Sequence, residues 1–168
     1  MGQGKRGKGL EQKIVWTNGI YKKKGWALVH KEPTPWNVSY DKRTGRVYRA
    51  FPQEKGTVDF IGVSKGKPIA FDAKSTKEET RFPLNNVKEH QVEYLKHHQE
   101  QGGISFLIVE FETLGEIYLL EFDQLYEWWV NSYRGGRKSI PYSYFKDECK
   151  RIYAKRGVAV DYLKVLEG

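Results

Sequence analysis

One cysteine, Cys149, stands in 168 residues. A lone thiol forms neither an internal disulfide nor a thiolate metal cluster, and its setting in KDECKRI reads as a helix position. No run approaches the roughly 18 apolar residues of a membrane span, and the opening MGQGKRGKGLEQ is basic without the apolar core of a signal peptide. The expectation is a cytoplasmic protein with no membrane partner. A Gly-rich phosphate loop followed by Lys-Ser/Thr is missing, as is GxSxG, so P-loop nucleotide hydrolysis and serine chemistry drop out. The four histidines, His30, His90, His97 and His98, show no HxxxH or HxH spacing, which leaves no zinc site of the usual pattern. The length is also too short for two comfortable domains and predicts one domain over 1–168.

Basic residues, by contrast, are plentiful. Lys plus Arg number 29 against 21 Asp plus Glu, giving a formal charge of +8 and a pI near 9.4, which favours a polyanionic partner without naming it. Residues 1–24 hold Lys5, Arg6, Lys8, Lys13, Lys22, Lys23 and Lys24 against Glu11 alone, an arm and first helix suited to phosphate contacts. Residues 110–127 carry Glu110, Glu112, Glu116, Glu121, Asp123 and Glu127 with no basic residue and are expected to face away from nucleic acid. Either run is also what a solvated surface looks like.

GLEQKIVWTNGIYKKKG reads as a helix with a cationic last turn before Gly25. WALVHKE reads as a strand. Beyond Pro33 and Pro35, WNVSYDKRTGRVYRAF alternates tyrosine and arginine around a turn at Asp41–Gly45, the pattern of a protruding β-hairpin over about 36–54. Trp36, Tyr40, Lys42, Arg43, Arg46, Tyr48 and Arg49 interleave rings and cations, as a surface that stacks and neutralises nucleic acid requires. Simple cross-strand pairing on an edge hairpin is the competing explanation. Strands at 57–63 and 68–74, a helix near 88–101, strands in ISFLIVEF and EIYLLEF, and a helix in QLYEWWVNSYRGG with a core-facing aromatic side complete an α/β domain. Its mixed central β-sheet is flanked by helices.

The chemistry sits in TVDFIGVSKGKPIAFDAK, residues 57–74. If Lys65-Gly66 is a two-residue hairpin loop, paired positions sum to 131, so Asp59 faces Asp72 and Thr57 faces Lys74, all four on one face. Val58, Phe60, Phe71 and Ala73 then form the opposite, core face. Opposed Cβ atoms lie about 4.5–5.5 Å apart, so two ionised aspartates there repel unless a cation neutralises them. Mg2+ prefers such oxygen ligands, and the Lys74 ammonium beside them can orient an attacking water or stabilise charge on a phosphorane. Phosphodiester hydrolysis is the implied reaction. The alternative is an Asp59–Lys74 ion pair on a solvated sheet, against which stands the cost of placing two acids within the apolar runs VDFIGV and PIAFDA.

The D-x12-D-x-K pattern resembles the PD-(D/E)xK, restriction-endonuclease-like nucleases. The longer runs KEPTPWNV, TVDFIGV, IAFDAKSTKEETRFPLNNVKEHQVEYL and QGGISFLIV resemble the RecU family of bacterial Holliday junction resolvases across nearly the whole chain. That resemblance implies a homodimer that nicks two strands of a four-way DNA junction symmetrically, with other recombination proteins as further partners. It also implies Mg2+ contacts by Thr57 and Asp59, metal binding by Asp72, charge stabilisation by Lys74, and Gln91 near the metal. Glu11 matches an acid that supports the site, and residues 36–54 match the stalk that enters the junction. Two departures follow. The second acid, often Glu, is Asp72, which leaves Mn2+ open beside Mg2+. The short basic start points to weaker DNA contacts and a phage-encoded rather than cellular bacterial member. A duplex or flap nuclease of the same fold, or a DNA-binding module without catalysis, remain the alternatives.

Overall fold

A computed structural model of the chain describes residues 8–53 and 56–168; Lys5 and Arg6 of the basic arm and Glu54 at the foot of the hairpin lie outside them. Helix α1 (Lys8–Lys24) buries Leu10, Ile14 and Tyr21 on one side and ends at Gly25, whose φ of 70° lets the Trp26 N–H return to Tyr21 C=O at 2.9 Å. Strand β1 (Leu28–Lys31) follows, then β2 (Trp36–Tyr40) and β3 (Val47–Pro52), β4 (Phe60–Ser64), β5 (Lys67–Thr76) and β6 (Arg81–Pro83). Helix α2 (Glu89–Glu100) leads to β7 (Ile104–Phe111) and β8 (Glu116–Glu121), and helix α3 (Phe122–Tyr133) to β9 (Ser139–Pro141). Helix α4 (Tyr142–Glu148), β10 (Lys150–Ile152) and helix α5 (Tyr162–Glu167) close the chain.

Six strands make the central sheet in the order β1-β4-β5-β7-β8-β10. Every neighbouring pair is antiparallel except β5–β7, which is parallel because α2 carries the chain back across the sheet. Each face is covered. One cluster joins Phe60, Phe71, Phe106 and Ile108 to α1 and to Tyr162 and Leu163 at the C-terminus. The other joins Ala70, Leu107, Val109 and Leu120 to Val92 and Leu95 of α2, Leu125 of α3 and Phe145 of α4. Burial on both faces explains why β5 and β7 read as continuous apolar runs.

The β4–β5 register is the expected one, from Phe60↔Phe71 to Ser64↔Lys67. Lys65 and Gly66 make the two-residue loop with φ of 49° and 76°, the positive pair a type I′ turn needs. Pairing nevertheless stops at Phe60. Asp59 is a bend ahead of the strand, so Val58 turns into the α2-side cluster instead of lying beside Phe60, and Thr57 has no ladder partner opposite Lys74. Cys149 falls one residue past α4. Helix α3 begins at Phe122, because Glu121 N–H is capped by Gln124 Oε1 at 3.0 Å, and its Trp128 and Trp129 are half-buried against the core.

Candidate active site

Asp72 stands in the middle of β5 on the α2 side of the sheet and is fully buried. Three donors meet its carboxylate: Asp59 N–H on Oδ1 at 2.9 Å, and Gln91 Nε2 and Lys74 Nζ on Oδ2 at 3.0 and 2.7 Å. Each comes from a different local device. The bend at Asp59 turns its amide toward Asp72, two-residue alternation on β5 puts Lys74 on the same face, and the first turn of α2 lays Gln91 over the sheet. Gln91 is itself fixed, since its Oε1 accepts the Lys88 N–H at 3.0 Å and so caps the helix.

Asp59 is half-buried and lines two clefts. The larger, about 910 Å³, is walled by Glu11, Lys74, Ser75, Lys77 and Glu78; the smaller, about 370 Å³, by Thr34, Pro52, Gln53, Lys88, His90 and Gln91. The Asp59 carbonyl accepts Glu32 N–H at 2.7 Å, which ties the bend to the end of β1. Next to it on β1, Lys31 pairs with Glu11 Oε2 at 2.6 Å. That bond with Glu11 raises the Lys31 pKa, and the charges of Asp59 and Asp72 add to the effect.

Burial pushes the Asp72 carboxyl up to about 7; Lys74 opposes the rise and the charge of Asp59 reinforces it. The Asp72 carboxylate is thus costly to ionise, with Asp59 beside it in the wall of an open cleft. Among the described residues, no three His, Cys, Asp or Glu side chains are grouped to hold a metal ion alone. Two aspartate carboxylates with room for water and phosphate oxygens fit a hard divalent cation that keeps part of its hydration, as Mg2+ or Mn2+ does, and do not fit zinc.

The family model for RecU, Recombination protein U, matches residues 5–168. The chain belongs to the RecU family. Proteins described as Holliday junction resolvase RecU share 39% identity over 168 residues in Pediococcus pentosaceus, 41% over 172 in a Geobacillus species and 39% over 168 in Staphylococcus aureus. Each alignment covers 98% of this chain, and 84%, 84% and 81% of the respective relative. Among solved structures, Archaeoglobus fulgidus Hjc, a Holliday junction resolvase, aligns with a TM-score of 0.46 and 9% identity over 81% of this chain and 88% of that one.

Of the residues singled out by the RecU resemblance, Asp59, Asp72, Lys74 and Gln91 stand together, and Glu11 lines the larger cleft with Asp59 and Lys74. Thr57 is half-buried ahead of the bend, with its hydroxyl donating to Val58 C=O at 3.3 Å. Lys42, Arg43, Arg46, Tyr48 and Arg49 are exposed on the separate two-stranded sheet β2–β3 and its turn, apart from the carboxylates. Asp41 Oδ1 accepts the Arg43 and Thr44 amides at that turn, and Gln53 N–H closes the base on Pro35 C=O at 2.8 Å. Sequence reasoning missed Lys31, because its proximity depends on the β1–β4 register, in which Lys31 pairs with Phe60. Glu110, expected to face away from nucleic acid, is half-buried near the end of β7. Parallel pairing of β5 with β7 brings Ser75 opposite Glu110, and Ser75 Oγ, in the wall of the larger cleft, donates to Glu110 Oε1 at 3.1 Å.

Proposed function

We propose that this chain is a structure-selective endonuclease that resolves four-way DNA junctions by paired, symmetrical phosphodiester hydrolysis. It uses Mg2+, with Mn2+ as the alternative, and works as a cytoplasmic homodimer of bacterial or phage origin. The observation that carries the reading is Asp72, a fully buried carboxylate that gathers Lys74, Gln91 and the Asp59 amide beside a cleft in a chain of the RecU family.

Asp59 and Asp72 are the residues that hold the cation, with Thr57 close by. Bound there, the ion supplies Lewis acidity to the scissile phosphate and acidifies the attacking water. Lys74, anchored on Asp72, places its ammonium where negative charge grows on the phosphate in the transition state. Gln91 fixes the rotamer of Asp72, so the carboxylate is set before substrate arrives. The junction is read elsewhere. The β2–β3 hairpin exposes Trp36, Val38, Tyr40, Val47, Tyr48 and Phe51, with the Arg49 guanidinium 5.2 Å from the Phe51 ring. A two-stranded ribbon with so much uncovered apolar surface is marginal alone, and an open junction centre offers bases for those rings and phosphates for the cations. Two cuts of like polarity require two sites, which a second copy provides.

Removal of residues 36–54 tests the division of labour. Metal-dependent nicking of a labelled four-way junction and of a duplex of the same sequence is compared with and without the hairpin. Loss of the junction preference with duplex nicking retained is the expected result. An unchanged preference takes junction reading away from the hairpin, equal nicking of junction and duplex by the intact protein assigns the chain to general duplex or flap cleavage, and binding without nicking in the intact protein assigns it to a DNA-binding module.

A further inference from the structure

Helix α2 lines a third cavity, about 600 Å³, on the side away from α3, between the helix and the start of β5. Its wall is made by one helical face, His90, Glu93, Tyr94 and His97, with Pro68 opposite and His98 at the far end. The Tyr94 and His98 rings lie near-parallel, 22° apart with centroids separated by 6.3 Å. His98 is held in place, because its Nδ1 shares a 2.8 Å hydrogen bond with Ser105 Oγ. Gly103 permits that placement: a Cβ there would fall 2.2 Å from the His98 ring. Burial lowers the His98 pKa and so disfavours the charged form of the ring. The cavity adjoins the candidate active site. His90 lines both it and the cleft that holds Asp59, Lys88 and Gln91.

We propose that this cavity is a subsite for one unstacked nucleobase of the strand being cut, a few nucleotides from the phosphate at Asp59. The inference rests on the nuclease reading and adds to it a place where the cleaved strand is held. A helix rises about 1.5 Å per residue, so His90 and His97 are about 10 Å apart along α2. Stacked nucleotides on one strand advance about 3.4 Å each, so a strand that follows α2 from His90 to His97 spans about three nucleotides. Aromatic and imidazole faces take any base by stacking, whereas the exposed Glu93 carboxylate at the wall accepts hydrogen bonds from the exocyclic amines of cytosine and adenine. A protein side chain has no comparable reason to occupy a cavity that adjoins the proposed phosphodiester-cutting centre at His90.

The test is an abasic scan. Synthetic four-way junctions carry a single abasic residue at each of the four positions on either side of the scissile phosphate. Affinity is measured in chelator, and nicking in Mg2+, for the full chain and for His97→Ala and Tyr94→Leu. His97 is exposed, so its replacement leaves the fold intact; Tyr94→Leu keeps the apolar packing but removes the ring. At one position the abasic residue should weaken wild-type binding about tenfold, the range of base–aromatic stacking, and the variants should lose most of that penalty while binding the intact junction more weakly. Equal penalties in wild type and variants, or no position costing more than twofold, overturn the subsite while junction nicking by the wild type keeps the nuclease reading. A wild type that nicks neither junction nor duplex removes both.

Discussion

Asp72 accepts three donors on two oxygens without reaching solvent. Such a carboxylate has little freedom to move, and its burial raises its pKa to about 7. Between pH 4 and 7 the folded chain therefore holds a proton that the unfolded chain has released, and stability declines across that window and flattens above it. Thermal unfolding in chelator from pH 5 to 8 should show Tm falling with pH, and Asp72→Asn should flatten the slope; a wild-type Tm that rises over the same interval contradicts the burial argument. Lys74 is the complementary case. In Lys74→Met, nicking should fall about 10²- to 10³-fold with junction affinity largely kept, because the ammonium acts on charge that develops only in the transition state. A loss of affinity without a loss of rate in single-turnover assays would make Lys74 a phosphate-binding residue instead. At this scale the sequence was informative wherever alternation holds: Asp72 and Lys74 share a face through two-residue periodicity on β5. It misled at Thr57 and Val58, where the chain bends before β4 and alternation no longer applies.

At the scale of elements, long segments were legible and short ones were not. Helices α1 and α2 and strands β5, β7 and β8 have enough periodicity or apolar length to show in the sequence. The three-residue strands β6, β9 and β10 and the short α5 do not, since a single face of three residues carries no period. Yet the C-terminal segment that holds β10 and α5 is part of the core. Asp161, just ahead of α5, accepts Tyr21 Oη at 2.7 Å and both Nε and Nη2 of Arg156 at 2.7 and 2.8 Å, while Arg156 stacks 4.3 Å from the Trp26 ring. Asp161→Ala strips the acceptor from a buried hydroxyl and a guanidinium, and urea unfolding should show a loss of about 2–3 kcal/mol. A loss below about 1 kcal/mol would mean that apolar packing of Tyr162 and Leu163 alone fastens the C-terminus to α1. Strand order was equally illegible: nothing local to β1 says that it borders β4, so the approach of Lys31 to the acids came only with the fold.

Over the whole molecule, a charge of +8 is divided between basic surfaces and acids that are mostly engaged internally. Glu116 accepts Tyr118 and Tyr142 hydroxyls at 2.5 and 2.6 Å, and Glu121 pairs with Lys150 at 3.7 Å, so part of the acidic stretch is consumed in joining β8 to its neighbours. What remains is a pair of aspartates beside a cleft, a cavity along α2 next to it, and an exposed aromatic and basic hairpin. Asp59 and Asp72 are proposed to make this chain a metal-dependent nuclease. Their role is tested most directly by titrating Mg2+ into a labelled four-way junction with the wild type, Asp59→Ala and Asp72→Ala in parallel, each checked for junction binding. Paired nicks that require Mg2+ in the wild type and vanish in both variants, with binding retained, are the predicted result. Nicking that survives in either variant, or that proceeds equally in chelator, would contradict it.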